Sequence, residues 1–263
     1  MDKRIEHPLF AEERQEEILH LLKVKSKLTV PQLCEYFNLS AATIRNDIRK
    51  LASQGRLRRT HGGIIPAGKV TFEPTAEYKQ TVNMRKKAKI AERAAELVKD
   101  GDTVILDTGT TTMELARHLA NKKNLTVIVN DISIALLLEE ISDASIILLS
   151  GFLRRGFHST VGPWASSALE TLNADIAFLS TNSFALSKGF MTPDIHQAEV
   201  KKAYIRSAAH SVILFDSSKV GTFSFVIFAS LEEIDTLITD TDISDGIKSS
   251  LNEYRNRINL IYV

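Results

Sequence analysis

The chain has 263 residues and a formal net charge of +1, from 33 Lys or Arg against 32 Asp or Glu, and it contains one cysteine. A single thiol excludes an intrachain disulfide, and no apolar run approaches the ~18 residues of a membrane span, so we expect a cytoplasmic protein with no membrane partner. Residues 1–70 hold 13 Lys or Arg against 8 Asp or Glu, which indicates a basic N-terminal part on a mildly acidic remainder.

The N-terminal part has the pattern of three helices and a hairpin. Glu12 to Val24 carries apolar residues at helical spacing. A second helix is predicted from the capping box Thr29-Val30-Pro31-Gln32, and a third begins after Ser40, whose hydroxyl can accept from first-turn amides. Gly55 is a predicted helix stop, and Arg56 to Ile65 is a predicted hairpin. These elements predict a winged helix-turn-helix.

The polar face of the third helix and the hairpin carry the candidate DNA contacts. They comprise Ser40, Thr43, Arg45, Asn46, Arg49 and Lys50 on the helix and Arg58, Arg59 and His61 on the hairpin. Arg56 adds a further hairpin cation, and Asp47 is the single acid among them. On charge alone, a solvated helix beside a surface hairpin is the commoner case. The partner helix upstream favours DNA binding, because a recognition helix needs a second helix packed across it.

Several motifs in residues 11–65 carry a family resemblance. They are Glu13-Arg14 with Ile18 and Leu21-Leu22, the Leu39-Ser40 turn, Thr43-Ile44-Arg45-x-Asp47, and Gly55-x-Leu57-x-Arg59-x-His61-Gly62-Gly63. With these motifs the segment resembles the DNA-binding domain of the DeoR family of bacterial transcriptional regulators. The resemblance implies a double-stranded DNA operator as partner. Asn46 stands where the family usually has a second Arg, so the operator sequence of relatives is not carried over.

The rest of the chain is long enough for one α/β domain. Pro66, Gly68 and Pro74 interrupt regular structure and predict a linker over residues 67–84, between a DNA-binding domain at 1–66 and an effector-binding and oligomerisation domain at 85–263. From Arg85 onward, helical segments alternate with short apolar runs. This alternation predicts βαβ units and a mainly parallel sheet. The predicted strands lie near residues 103–106, 125–129, 145–149, 176–179, 212–215, 225–228, 237–238 and 260–262.

The segment Asp107-Thr108-Gly109-Thr110-Thr111-Thr112 falls between the first predicted strand of this domain and its helix. Ligands of parallel sheets bind at the carboxyl ends of strands, beside helix N-termini. A glycine that allows close approach, with amides and hydroxyls at the positive end of a helix, suits a phosphate. Similar Thr-rich turns also serve only to cap a helix. The spacing matches neither a nucleotide P-loop nor a dinucleotide fingerprint, so no cofactor is predicted.

The family resemblance extends over residues 73–263. It rests on the Asp107–Thr111 turn, Val129-Asn130, Gly151, Gly162, Asp175-x-Ala177-Phe178, Gly189, Ala198-Glu199-x-Lys201-Lys202 and Asp216-Ser217-Ser218-Lys219-x-Gly221. This part resembles the DeoR-type effector domain, which is similar to sugar-phosphate isomerases of the ribose-5-phosphate isomerase type. The resemblance implies a phosphorylated sugar or polyol as effector. The residues it implies as contacts are Thr108, Gly109, Thr110, Thr111 and Thr112, with Asn130, Gly151 and Lys219 nearby.

An isomerase activity needs a positioned carboxylate base. The similar isomerases place carboxylates after the strand that corresponds to Ile176–Leu179, where this chain has Ser180-Thr181-Asn182-Ser183-Phe184. Glu199 falls where a catalytic glutamate would, but beside Lys201 and Lys202 it is expected to form a surface ion pair. We therefore predict no catalytic residue and no turnover. Asn182 and Ser150 depart from the family pattern, so effector identity is left open.

Other site types find little support. The seven His and one Cys show no metal spacing. Trp164 is expected to fill the core, and Arg154, Arg155 and His158 are expected to lie in a polar loop. The resemblance implies a sugar-phosphate-responsive regulator, most often a repressor in this family. A single winged helix contacts too little DNA for specificity, so a homo-oligomer, a dimer or tetramer, is expected. Two alternatives stay open. One is a sugar-phosphate isomerase that carries a DNA-binding module, and the other is a regulator whose effector pocket no longer binds a sugar phosphate.

Overall fold

The computed structural model describes residues 9–25, 27–54, 56–60, 62–66, 70–71 and 73–263. The chain divides into two units, Met1–Pro74 and Thr75–Val263. The predicted helix stop at Gly55, the linker residue Gly68 and the predicted DNA contact His61 lie outside the described residues. Part of the predicted linker belongs to the second unit, where Ala76–Gln80 form a helix.

The first unit is a winged helix-turn-helix, as the sequence predicts. Its elements are α1 (Ala11–Lys25), β1 (Leu28–Thr29), α2 (Val30–Phe37), α3 (Ala41–Ser53), β2 (Leu57–Thr60) and β3 (Gly63–Pro66). The predicted capping box is present, because the Gln32 amide donates to Thr29 Oγ1 at 3.3 Å and the Thr29 amide donates to Gln32 Oε1 at 2.8 Å. These reciprocal bonds satisfy amides that the start of α2 would otherwise leave unpaired.

One apolar cluster joins the three helices to the hairpin. Its fully buried members are Ile18, Leu33, Ile44, Leu51 and Ile64. The strands pair antiparallel in the order β1-β3-β2. The spacing of Ile44, Ile48 and Leu51 therefore determines which face of α3 is buried, and the opposite face is left to solvent.

The second unit contains the remaining elements. Its helices are α4 (Ala76–Gln80), α5 (Met84–Ala95), α6 (Thr110–His118), α7 (Ile132–Ile141), α8 (Pro163–Leu169), α9 (Ile195–Ser207) and α10 (Asp245–Asn252). Its strands are β4 (Thr103–Leu106), β5 (Thr126–Val129), β6 (Ser145–Leu148), β7 (Phe152–Arg154), β8 (Ser159–Val161), β9 (Ala174–Ser180), β10 (Ser183–Ala185), β11 (Gly189–Thr192), β12 (Ala208–Leu214), β13 (Val226–Ala229), β14 (Thr236–Thr239) and β15 (Asn259–Tyr262). Short 3-10 helices cover Ser217–Lys219 and Leu231–Glu233.

A seven-stranded sheet forms the centre of this unit, with the order β15-β14-β12-β9-β4-β5-β6 and parallel pairing throughout. Successive residues of each strand alternate between two apolar layers. Ile105 packs in the layer of α8, α9 and α10, whereas Val104 and Leu106 pack in the layer of α5, α6 and α7. Helices on both faces explain why the strands are continuous apolar runs.

The strand order reverses between β4 and β9. From β4 the chain adds β5 and β6 on one side, then returns to place β9 on the other side. The loops that follow β4 and β9 therefore leave toward opposite faces of the sheet. In open α/β sheets, the crevice at such a reversal is where ligands bind.

Two small antiparallel sheets were not predicted. One is the hairpin of β7 and β8, and the other has the order β10-β11-β13. The run at 225–228, predicted as a strand, forms β13 of this second sheet. Strands of three or four residues give too short an alternation to be recognised by periodicity. Among the described residues, no helix combines the length and apolar character needed to cross a bilayer.

Candidate nucleic-acid interface and anion site

The predicted DNA-contacting residues of α3 lie on its solvent face. The exposed ones are Ser40, Arg45, Asn46, Arg49 and Lys50. Thr43 is half-buried. Its amide donates to Ser40 Oγ at 3.2 Å, and the hydroxyl groups of the two residues lie 3.0 Å apart. Ser40 thus caps the helix. Both residues stand at the N-terminal end, the part of a recognition helix that meets base edges.

Asp47, the single acid of the predicted DNA surface, points into the helical bundle. Its Oδ2 accepts from Arg14 Nε at 2.7 Å, and its Oδ1 accepts from Gln15 Nε2 at 2.9 Å. The Asp47 side chain is 5% exposed. The Asp47 carboxylate therefore fixes α3 against α1. Because it points inward, it does not neutralise the cations on the outer face of α3.

All three cations of the hairpin are exposed, and one of them, Arg56, is held in an ion pair. Arg58 and Arg59 are exposed on β2. Arg56 was expected to lie along a phosphate backbone with them, but its guanidinium donates to both carboxylate oxygens of Glu16, at 2.6 and 3.0 Å. The reason is local, because the chain leaving α3 passes beside the acidic side of α1. Arg56 therefore braces the base of the hairpin.

An open groove of about 630 Å³ separates α3 from the hairpin. Arg45 and Arg49 line it from the helix, and Arg59 lines it from β2. Cys34 of α2 also contributes to its wall and is partly buried. Three guanidinium groups around a groove suit phosphate and guanine contacts, because each presents a planar fork of donors.

The Thr108–Thr112 turn joins β4 to α6 at the reversal of strand order. Gly109 is the N-cap of α6, with a φ of +149°, and it has no side chain to occupy the amides of the first turn. A Cβ at this position would lie 3.0 Å from Ser180 Oγ, so the turn packs closely on the end of β9. The close packing explains the glycine, and the uncapped helix start presents positive charge to the crevice.

The threonines of the turn divide into inner and outer residues. Thr108 Oγ1 donates to Asp131 Oδ2 at 2.6 Å, and Thr112 Oγ1 donates to Gly109 O at 2.9 Å. Thr111 is also buried, whereas Thr110 is half-exposed. The hydroxyl bonds of Thr108 and Thr112 therefore shape the turn, and Thr110 is the member whose side chain is turned toward solvent.

A buried ion pair supports the turn from below. Lys201 of α9 contacts Asp107 Oδ2 with its ammonium group and donates to Ser180 O at 2.8 Å, and neither charged side chain is exposed to solvent. The Ser180 amide and hydroxyl each donate to Asp107 Oδ2 at 2.9 Å. These bonds hold the ends of β4 and β9 together and connect them to α9.

Sequence reasoning placed Lys201 in a surface ion pair with Glu199, and this placement is wrong. Lys201 lies on the buried face of α9, with Ala198 and Tyr204 one turn away on either side. That spacing was the available signal, because a lysine in phase with an apolar stripe must find a buried partner. Glu199 is exposed and lies 3.5 Å from His196, away from the turn.

Asn130 and Gly151 lie where the β7–β8 hairpin meets the sheet. Asn130 is fully buried, and its Nδ2 donates to Thr160 O at 2.8 Å. Gly151 has a φ of +146°, and a Cβ there would lie 2.5 Å from Val161 O. Both residues fix the hairpin beside Asp131, which itself accepts from Thr108. They therefore shape the surroundings of the turn through the backbone.

Two lysines from different elements come together beside α6. Lys219 ends the 3-10 helix after β12, and Lys87 lies on the buried face of α5. Burial and then the charge of Lys219 lower the pKa of Lys87 to about 8, with Lys79 adding to the effect and Asp216 and Glu114 opposing it. Lys87 is 4% exposed and donates to the backbone carbonyl of Lys79. Crowded lysines of this kind favour an anion between them.

Lys87 was missed in the sequence because it was counted with the cationic start of α5. It precedes Ile90 by one turn and so shares the apolar face of that helix. Lys86 has a different role, because it pairs with Asp240 at 2.9 Å and with Asp242 at 2.7 Å. These pairs fix the start of α5 against the end of β14 and so hold Lys87 beside the strand ends.

The remaining candidates have structural surroundings. Residues 180–184 lead into β10 and hold no carboxylate. Arg154 donates to Gln197 Oε1 at 2.9 Å, and His158 lies 3.1 Å from Ser133 Oγ. Trp164 was expected in the core, and this is wrong, because it is 65% exposed and stacks on Phe152. No group of His, Cys, Asp or Glu in the described parts of the chain has the arrangement of a metal site.

Comparison with known families accounts for both units. A model described as a DeoR-like helix-turn-helix domain matches residues 14–68. A model described as the DeoR C terminal sensor domain matches residues 82–241. The two matches together span most of the chain and each falls mainly on one unit.

Similar proteins cover nearly the same length. The chain is 40% identical over 228 residues to the HTH-type transcriptional regulator GlpR of Haloferax volcanii, covering 87% of this chain and 89% of that protein. It is 33% identical over 247 residues to the transcriptional repressor AccR of Agrobacterium fabrum, covering 94% and 96%. Among solved structures, ribose 5-phosphate isomerase A of Methanocaldococcus jannaschii matches with a TM-score of 0.38 and 21% identity, covering 51% of this chain and 53% of that chain.

Proposed function

This chain belongs to the DeoR family of transcriptional regulators, and we propose that it is a repressor whose operator affinity is controlled by a phosphorylated sugar or polyol. The effector binds at the Thr108–Thr112 turn, and α3 with the β2–β3 hairpin binds the operator. The observations that support the effector half are the uncapped start of α6 at the reversal of strand order and the interacting charges of Lys87 and Lys219.

The choice of a phosphate monoester follows from charge and size. The first turn of α6 offers backbone donors to an anion. The charge of Lys87 interacts with that of Glu114 on the same helix and with that of Lys219. Lys87 has a lowered pKa because it is buried near Lys219 and Lys79, so a dianion relieves the repulsion among the three. A nucleotide needs more glycine at its phosphates than one Gly109 provides. The sugar or polyol part extends outward from Thr110, the half-exposed residue of the turn.

The proposal assigns binding without turnover. Aldose–ketose isomerisation needs a carboxylate base within reach of the carbon acid. Glu199 is exposed beside His196, and residues 180–184 bring no carboxylate to the crevice. Asp107 is the acid under the turn, but its Oδ2 already accepts from Lys201 and Ser180. An isomerase assay with sugar phosphates is expected to show no interconversion by the wild type above background.

Control of DNA binding requires that the effector bind two states of the protein with different affinity. By linkage, operator DNA then changes effector affinity by the same factor as the effector changes operator affinity. This reciprocity gives a test of the mechanism that needs no knowledge of the structural change. Effector affinity is measured with and without a saturating operator duplex, and equal affinities would exclude control through this site.

The direct test is a thermal-shift panel of triose, pentose and hexose phosphates, the matching polyol phosphates and inorganic phosphate. A ligand at 100 times its dissociation constant stabilises the folded state by ~2.7 kcal/mol. The response is expected to disappear in Lys219→Ala and Lys87→Ala and to weaken in Thr110→Val. Lys202→Ala is the matched control, because Lys202 is an exposed lysine of α9. A ligand that still binds both lysine variants with wild-type affinity would place the site elsewhere.

A further inference from the structure

We propose that helix α4 couples the effector site to the DNA-binding unit, and that an anion in the site releases α4 by drawing the Lys87 ammonium group away from the carbonyl of Lys79. This coupling role rests on the proposed function, because it names the element through which the same site acts on operator binding. The position of α4 in the chain, its contacts and its short length support the role.

α4 is the first element of the second unit. Its residues, Ala76–Gln80, follow directly on the boundary between the two units at Pro74 and Thr75. α4 also packs against α6, whose first turn is the proposed anion site. A change in α4 therefore acts on the segment of chain that leads into the DNA-binding unit.

Lys87 of α5 holds the end of α4. Its ammonium group donates to the backbone carbonyl of Lys79, which belongs to the last turn of the helix. The Val82 amide is a weaker donor to the same carbonyl, because it lies 3.5 Å from the oxygen. Carbonyls of a last turn have no partner within their helix and carry its negative partial charge. The Lys87 ammonium group therefore stabilises α4 in its helical form.

The turn between β7 and β8 holds α4 from another side. The Ala76 amide donates to Gly156 O at 3.3 Å. Lys79 Nζ lies 5.5 Å from the centre of the Phe157 ring, which is within the range of a cation–π contact. Contacts from three different parts of the second unit, the hairpin, α5 and α6, thus meet on α4.

α4 needs these contacts because it has five residues. Isolated helices shorter than about 12–15 residues are marginal in water. The helical state of α4 therefore depends on its neighbours, and the loss of one contact shifts the segment toward an extended chain. Such an element has an ordered and a released state, which a ligand can populate differently.

An anion competes with α4 for Lys87. The charges of Lys219 and Lys79 both act on the Lys87 ammonium group. A phosphate dianion attracts that group with full charges, whereas the Lys79 carbonyl offers only a partial charge. The corner before α5 stays attached to the Lys219 segment, because Asn83 Nδ2 donates at 2.8 Å to Asp216 Oδ1, and Asp216 caps the 3-10 helix of Lys219. Lys87 and Lys219 thus remain close when α4 is released.

Competition fixes the sign of the coupling. If α4 must give up Lys87 before the anion is fully bound, the docked helix opposes anion binding. Weakening any other contact of α4 therefore tightens anion binding, whereas damage to the anion site weakens it. Release of α4 also lengthens the flexible connection to the DNA-binding unit, so operator affinity is expected to fall, because a less ordered protein loses more conformational freedom on binding.

Hydrogen exchange of the full-length chain, with and without inorganic phosphate, tests the release. Phosphate is expected to slow exchange at the first turn of α6 and to raise it over residues 76–82 by roughly two- to tenfold, the factor for one hydrogen bond. Lys87→Gln is expected to raise exchange over residues 76–82 without phosphate. Lys89→Gln is the matched control, because Lys89 is an exposed lysine of the same helix.

A substitution at the other end of α4 tests the sign. Ala76→Pro removes the amide that donates to Gly156 O, and proline is tolerated at the first residue of a helix. We expect this variant to bind phosphate more tightly than wild type, by roughly two- to tenfold in calorimetric titration. Its affinity for duplexes selected from a random library is expected to fall. Gln80→Ala, which changes an exposed residue of the same helix, should match wild type in both measurements.

Three results would overturn the coupling role. They are unchanged or slower exchange of residues 76–82 when phosphate protects α6, wild-type exchange of these residues in Lys87→Gln, and weaker phosphate binding by Ala76→Pro. If phosphate does not protect α6, the effector site is refuted and the coupling role with it. If wild type binds phosphate but no duplex, the proposed function fails, while the exchange measurements still decide whether the anion releases α4.

Discussion

Arg14 and Asp47 join the first helix to the recognition helix through an ion pair of 2.7 Å, with side chains that are 12% and 5% exposed. Removing one partner of such a pair leaves the other charge buried, which costs about 3 kcal/mol or more. We expect Asp47→Ala to lower the free energy of unfolding of the first unit by that amount and to weaken operator binding. Denaturant titration of the full-length chain measures the first effect.

A surface pair provides the contrast for this prediction. Arg56 pairs with Glu16, but both side chains are largely in solvent, so Arg56→Ala should leave the unfolding transition unchanged within error. Equal destabilisation by Asp47→Ala and Arg56→Ala would contradict the role given to burial. Arg14→Met with Asp47→Leu should recover much of the stability, because the double variant leaves no unpaired charge.

Arg45 and Arg58 are expected to differ in what they read. Arg45 lies on the exposed face of α3 and lines the groove, so Arg45→Ala should cost about 1–3 kcal/mol of specific affinity and relax sequence preference. Arg58 lies on β2 and is expected to contact phosphate, so Arg58→Ala should weaken all duplexes alike and reduce the salt slope by about one. Titrations of specific and scrambled duplexes at several salt concentrations separate the two. Unchanged operator affinity in Arg45→Ala would remove it from base reading.

The pH dependence of effector binding should report Lys87. Its pKa in the folded protein is about 8, against an ordinary 10.5, and an anion in the site favours the charged form. Effector affinity is therefore expected to hold below pH 8 and to fall above it, by a factor approaching ten per pH unit. Calorimetric titrations from pH 7 to 10 measure this.

The same lysine links pH to stability in the absence of ligand. Because the pKa of Lys87 is lowered on folding, the unfolded chain binds more protons between about pH 8 and 10.5. The contribution of Lys87 to the free energy of unfolding therefore rises with pH across that window and is least favourable below it. Lys87→Gln should remove this rise. A stability profile of the variant that matches wild type between pH 8 and 10 would argue against a buried Lys87.

The Asp107–Lys201 pair is expected to control the turn rather than to bind the effector directly. Lys201→Met leaves Asp107 buried without its cation and should destabilise the second unit by about 3–5 kcal/mol. Lys202→Ala should change nothing measurable, since that lysine is exposed. Combining Asp107→Asn with Lys201→Met should restore much of the stability. Recovery of folding without recovery of effector binding would be the signature of a positioning role.

Local rules in the sequence predicted the helices of the first unit well. Thr29 and Ser40 cap helices through bonds to residues three positions on, so the signal is contained in a few neighbouring residues. The parallel sheet was equally visible, because a strand covered on both faces is an uninterrupted apolar run. The Thr108–Thr112 turn could be placed at a strand end for the same reason.

Long-range pairing was beyond the reach of those rules. Lys201 meets Asp107 across 94 positions of sequence, and Lys87 meets the charge of Lys219 only through the packing of α5 on the sheet. Each lysine resembles a surface residue until it is known which face of its helix is buried. The prediction for Trp164 was wrong in the opposite direction. Its large apolar side chain suggested a core position, but its ring is exposed and stacks on the exposed ring of Phe152. The charge and size of a side chain therefore do not determine whether it is buried, because burial depends on the residues that pack around it in the folded chain.

Cys34 gives the chain a built-in reporter position. It is the single cysteine of the sequence, and it lines the groove between the recognition helix and the wing. A small thiol-reactive fluorophore therefore labels one defined place without any engineered cysteine. Its emission in the presence and absence of duplex follows occupancy of that groove in real time, so operator release on effector addition can be timed by stopped flow with the natural sequence.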